Sequence, residues 1–149
     1  MEHSKEFQEV FLDLIADIQC KHSKKPEILG IEYDAYTKIV EYGKLPTQKV
    51  LIRIADYFGV SLEYLLGRTS VENFEKAKTP TAFYERYETL KKEKGWTDYA
   101  ITQKLHIKTS YTTAWKKKGY LPSLTNLILL SEEFEVSLDY LLGRTDYKD

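Results

Sequence analysis

Apolar positions along the chain recur at helical spacing rather than in strand-like alternation. Phe7, Val10, Phe11, Leu14, Ile15 and Ile18 return every three or four residues and predict a helix over 5–20. Phe83, Tyr87 and Leu90 do the same ahead of Gly95, a residue suited to the left-handed stop of a helix. Two short helical pieces follow, Asp98–Leu105 and about 109–117, separated by His106-Ile107-Lys108. Pro122-Ser123 opens a further helix with Leu127, Leu130 and Phe134 on one face, and Pro46-Thr47 opens its counterpart with Leu51, Ile54 and Phe58. Ser61 and Ser137 stand where they would cap a last short helix, each followed by an acid (Glu63, Asp139) that suits the helix dipole. Gly67 and Gly143 would end it. No segment alternates with period two for any useful length, so the predicted class is all-α.

The pattern repeats. Shifted by 76 residues, 43–69 meets 119–145 without a gap, and 15 of the 27 aligned positions are identical. Val60-Ser61-Leu62-Glu63-Tyr64-Leu65-Leu66-Gly67-Arg68-Thr69 faces Val136-Ser137-Leu138-Asp139-Tyr140-Leu141-Leu142-Gly143-Arg144-Thr145. Upstream of Gly43 the match thins to scattered pairs such as Leu29/Leu105, Ile31/Ile107 and Thr37/Thr113. The chain therefore reads as two five-helix units, 1–70 and 81–149, joined by a connector at 71–80. Thr79-Pro80 reads as an N-cap followed by proline in the first helical turn. Pro26 confines the matching helix of the first unit to little more than one turn from about Ser23, because a mid-helix proline costs about 3 kcal/mol.

Composition narrows the function. Of 149 residues, 30% are charged and 42% hydrophobic, the balance of a globular chain. The longest aliphatic run, Leu127-Ile128-Leu129-Leu130, is far too short to span a membrane, and the charged start (Met-Glu-His-Ser-Lys-Glu) does not read as a secretory signal. With a single cysteine, Cys20, an internal disulfide is excluded, and the expectation is a cytoplasmic protein. Cys20 reads as a small hydrophobe at the end of the first helix. His3, His22 and His106 are scattered, and Cys20 with His22 makes no zinc ligand set. No phosphate-binding glycine loop, nucleophile–base pair or framed carboxylate pair is present, so neither enzyme chemistry nor a cofactor is expected.

Gly95-Trp96-Thr97, Leu105-His106-Ile107, Trp115, Pro122-Ser123 and the closing Val136-Ser137-Leu138-Asp139-Tyr140-Leu141-Leu142-Gly143 resemble the lambda-repressor-like (Xre-type) helix-turn-helix family. The resemblance covers most of 82–146 and, more weakly, 29–70. Thr102 stands where the family usually has a small residue, and His106 where it usually has the turn glycine. The resemblance implies two tandem helix-turn-helix bundles and a sequence-specific transcriptional regulator, a bacterial or phage repressor, with double-stranded DNA as partner. It places Thr109, Ser110, Thr113 and Ala114 against base edges and Trp115 in the core. Lys108, Lys116, Lys117 and Lys118 would lie on phosphates, and Thr97 opens a helix whose N-terminus faces another phosphate.

With a net charge of −1, only local charge can favour DNA. The stretch 108–118 carries four lysines and no acid. Three consecutive lysines are also compatible with a plain solvated turn. The matching stretch 32–42 carries Lys38 against Glu32, Asp34 and Glu41, a net of −2. Its Tyr33, Tyr36 and Tyr42 suggest a protein interface, for a homodimer or another partner, as readily as a solvated acidic face. The alternative for the whole chain is an antitoxin-like or adaptor module that kept the fold without reading DNA.

Overall fold

Ser4, Thr47, Ser61, Thr97, Ser123 and Ser137 each accept a backbone N–H from three residues ahead and so start six of the helices. In the computed structural model, which describes residues 2–149, the chain divides into two compact units, 1–74 and 75–149. The first holds α1 (Lys5–Ala16), a 3-10 turn (His22–Lys24) running into α2 (Lys25–Leu29), α3 (Tyr33–Tyr42), α4 (Gln48–Phe58) and α5 (Leu62–Leu65). The second holds α6 (Phe83–Lys94), α7 (Asp98–Leu105), α8 (Ser110–Lys118), α9 (Leu124–Phe134) and α10 (Leu138–Leu141). The fold is all-helical. Among the described residues there is no strand, only an isolated antiparallel bridge between His3 and Lys44. None of these helices is long and apolar enough to cross a membrane.

The 76-residue offset reaches further than the identities do. Phe7 and Phe83, Phe11 and Tyr87, Leu29 and Leu105, Tyr36 and Thr112, and Ile39 and Trp115 are all buried at paired positions. The first halves have changed residues while keeping which positions face inward. The turn between the second and third helices is also shared. Gly30 (φ 73°) and His106 (φ 56°) are both left-handed. In each, the next residue's N–H reaches back five residues, Ile31 to Pro26 at 3.0 Å and Ile107 to Thr102 at 3.0 Å. Histidine therefore does the work of the glycine it replaces.

The repeated Gly-Arg-Thr closes each unit. A Cβ on Gly143 (φ 74°) would lie 1.9 Å from the Thr81 carbonyl oxygen, and one on Gly67 (φ 75°) 2.7 Å from the Glu6 Cβ. Both glycines are thus required twice, by backbone conformation and by close approach. The arginine that follows turns back on the acid of the short helix. Arg144 pairs with the buried Asp139, and Arg68 with Glu63 at 3.5 Å. Those acids hold more than a helix dipole.

Three expectations fail locally. The first helix stops at Ala16 rather than near 20, because the bonds from Asp17 to Leu14 and from Ile18 to Ile15 tighten its end to three-residue steps. Lys25 Nζ then donates to the Ile15 carbonyl at 2.7 Å and takes the place of a further turn. Cys20 lies beyond the helix and is exposed, so it is no part of the core. Thr79-Pro80 does not open α6, which starts at Phe83 with Ala82 as its cap. The backbone before it is tied to the closing loop instead. Ala77 N–H donates to Arg144 O at 2.8 Å, and Thr145 Oγ1 donates to Glu75 O at 2.8 Å. The predicted connector is thus divided, with 75–80 belonging to the second unit.

Candidate nucleic-acid interface

Two large contacts fix α8. Trp115 is buried and meets Phe83 and Tyr87 edge-on, at centroid distances of 5.9 and 5.5 Å. Thr112 is buried beside it and donates its hydroxyl to Thr109 O at 2.9 Å. With 112 and 115 inward, helical geometry turns Ser110, Thr113, Ala114 and Lys117 to the opposite side. Ser110, Thr113 and Lys117 are exposed and Ala114 is half-buried. Lys108 and Thr109 precede the helix and are exposed, as are Lys116 and Lys118 on its flanks. The helix begins at Ser110, one residue later than predicted, because Thr109 is its N-cap and is left with a free side chain. Among the described residues, the hydroxyls of Thr109, Ser110 and Thr113 have no hydrogen-bond partner. Ser110, Thr113, Ala114 and Lys117 thus share the outward side of α8, with Lys116 and Lys118 to its flanks.

Thr97 is exposed, but its Oγ1 accepts from Ala100 N–H at 3.1 Å. Its hydroxyl is thus taken up as the cap of α7. The next residue, Asp98, is half-exposed and fully engaged. Its Oδ1 takes Lys91 Nζ at 2.6 Å and the Tyr87 hydroxyl at 2.8 Å. Burial by itself raises the Asp98 carboxyl, but the Lys91 and Tyr87 hydrogen bonds, helped by Lys116, outweigh it and hold the group below its ordinary value. Burial likewise works to lower the Lys91 ammonium, and its bonds to Asp98 and Glu88 raise it instead. The charge of this acid is offset by Lys91. Trp96 stacks on Phe134 at 5.6 Å under Lys104 at 4.5 Å, which anchors the start of α7.

Sequence reasoning overlooked three side chains here. Tyr99, Tyr111 and Tyr120 are all exposed, at the start of α7, the start of α8 and just past its end. The ammonium of Lys118 lies 5.7 Å from the Tyr120 ring. The signal was available as tyrosines bracketing the lysines, but a total tyrosine count conceals it.

In the first unit the corresponding helix α3 differs. Tyr33 and Tyr42 are each 63% exposed, as an interface reading requires. Tyr36 corrects that reading: it is fully buried, edge-on to Phe11 at 5.8 Å, with its hydroxyl 3.0 Å from His22 Nδ1. Burial, then the neighbouring Cys20 and Tyr33, push its hydroxyl up to about 12. Position 36 pairs with Thr112, and both point inward three residues before a large core side chain. Asp34 pairs with Lys38 at 3.0 Å along the exposed side. Counting charge only over 32–42 also left out Lys44, Lys49 and Arg53, which face the same side of this unit.

No group of His, Cys, Asp and Glu able to hold a metal occurs among the described residues. The chain matches no family model, no curated protein and no solved structure.

Proposed function

We propose that the two units are tandem lambda-repressor-like helix-turn-helix bundles, and that the second reads double-stranded DNA through α8 as a transcriptional regulator. One observation carries this reading. The outward face of α8 and the turn before it present three unpartnered hydroxyls among lysines, with no acid from 108 to 118. Small polar side chains near the start of a groove-entering helix meet base edges, and flanking cations neutralise phosphates. The Thr113 methyl and hydroxyl suit a thymine methyl and a base-edge polar group. Asp98, at the start of α7, has its charge offset by Lys91.

Two variants test the assignment in gel-shift titrations of selected and random duplexes. Lys117→Ala should weaken both alike and flatten the salt dependence by about one unit. Thr113→Val should relax preference at one base pair, where a wrong pair costs about 1–3 kcal/mol. Equal effects of both variants on both duplexes would remove α8 from the groove.

A second reading applies to the first unit. Tyr33 and Tyr42 stand exposed at the two ends of α3 around an Asp34–Lys38 pair, a surface suited to protein contact rather than phosphate. It would hold a second copy of the chain or another protein. Sedimentation of the full chain against a Tyr33→Ser/Tyr42→Ser variant separates self-association from a monomer.

A further inference from the structure

In the first unit, the turn after α2, the outer side of α3 and the start of α4 enclose a cleft of about 530 Å³, within the range of small-molecule sites. Leu45, Pro46 and Val50 give it apolar walls, and Lys38, Lys44, Lys49 and Arg53 line it against only two acids, Glu32 and Asp34. Asp34 is already neutralised by Lys38 at 3.0 Å. Arg53 is held in place by Nη1 donating to Gly30 O at 2.7 Å. Lys44 and Lys49 have no ion-pair partner among the described residues.

The placement of Lys49 and Arg53 on α4 sets like charges against one another. Lys49 sits in the first turn of α4, the end at which the helix dipole favours negative charge. Arg53 lies four residues further on, and like charges at that spacing oppose each other on a helix. The fold does not need these charges. The second unit builds α9 with Thr125 and Leu129 at the matching positions, and has Ala114 and Tyr120 in place of Lys38 and Lys44. A bound anion would convert the repulsion into attraction. Three cations lining one cleft, Arg53 fixed and Lys44 and Lys49 unpaired among the described residues, suit a dianion better than a carboxylate. Of the two acids in the cleft Asp34 is balanced by Lys38, which leaves Glu32 against three cations.

We propose that this cleft binds a small phosphate monoester with an apolar body, its phosphoryl oxygens on Lys44, Lys49 and Arg53 and its body against Pro46 and Val50. The proposal is independent of DNA reading by α8.

The full chain is titrated calorimetrically with phenyl phosphate, with inorganic phosphate and phenol as its separate halves, and with a mixed-sequence duplex as competitor. Expected is saturable one-to-one binding, tighter for phenyl phosphate than for either half, and at least tenfold weaker in Lys44→Gln/Lys49→Gln. That variant, without ligand, should melt at or above the temperature of the unaltered chain, because a repulsion has been removed. Absence of saturable binding, binding indifferent to the double substitution, or a variant that melts well below the original would each overturn the proposal. So would displacement of phenyl phosphate by a duplex whose own affinity depends on Lys44 and Lys49, which would assign the lysines to a nucleic-acid backbone.

Discussion

α3 and α8 occupy equivalent places 76 residues apart and have taken opposite surfaces on the same frame. Inward, both present two side chains three residues apart, Tyr36 with Ile39 and Thr112 with Trp115. Outward, α8 and its leading turn carry hydroxyls and lysines, whereas α3 carries an internal Asp34–Lys38 pair, Glu41 and two exposed tyrosines. The residues that hold such a helix in place and those that face outward are separate sets, so the outer set can change sign without disturbing the core. The tilt is also visible in bulk: residues 1–76 carry 10 basic and 13 acidic side chains, and 77–149 carry 12 and 10. At a screening length of about 8 Å in physiological salt, however, the local difference between the helices decides.

The sharpest contrast should come from the closing glycines. Gly143→Ala sets a Cβ against a backbone carbonyl that cannot move aside, and should cost on the order of 4 kcal/mol, enough to unfold the second unit alone. Gly67→Ala meets the stem of Glu6 and should cost about 2–3 kcal/mol. Circular dichroism melts that show two transitions in one variant and not the other would check this. Equal losses would mean that the close approach at Thr81 is not what the glycine serves.

A smaller effect separates the tyrosines of α3. Tyr36→Phe keeps the packing, loses the His22 bond and should cost about 1 kcal/mol, measured by urea denaturation. Tyr33→Ser and Tyr42→Ser should stay within about 0.5 kcal/mol, as exposed substitutions do. The reverse order would put Tyr36 back at a surface.

Acid should sharpen the difference least. Lys91 holds Glu88 below its ordinary 4.5, and the Lys91 and Tyr87 bonds hold Asp98 below its ordinary 3.8. Groups lowered in this way contribute stability above those values and lose it as pH falls through the lowered ones. Lys91 is raised, so its contribution is complete below its ordinary 10.5 and is lost only in stronger alkali. Asp98→Asn should therefore flatten the acid limb of the second unit's stability and leave the neutral plateau lower. An unchanged acid limb would contradict the pairing.

Periodicity and caps made the helices legible, and Ser61 and Ser137 cap the closing helices as their positions suggest. The missed features have specific physical causes. The end of α1 depends on Lys25 reaching a carbonyl ten residues away, which no local spacing records. Tyr36 looked like surface because it lies among charged residues, although its place three residues before Ile39 matches Thr112 before Trp115. The Asp98–Lys91–Tyr87 network spans two helices and is invisible along the chain. The cations of the α3–α4 cleft were scattered over sixteen sequence positions and converge only when the helices pack.

The central claim is that α8, and not α3, meets DNA. The most direct measurement is the salt dependence of duplex binding by the full chain in two triple variants. One is Lys116→Gln/Lys117→Gln/Lys118→Gln, and the other is Lys38→Gln/Lys44→Gln/Lys49→Gln. The account predicts that the first loses most of its affinity and up to about three units of slope, while the second binds as the unaltered chain does. Equal losses in both, or a loss confined to the second, would contradict it.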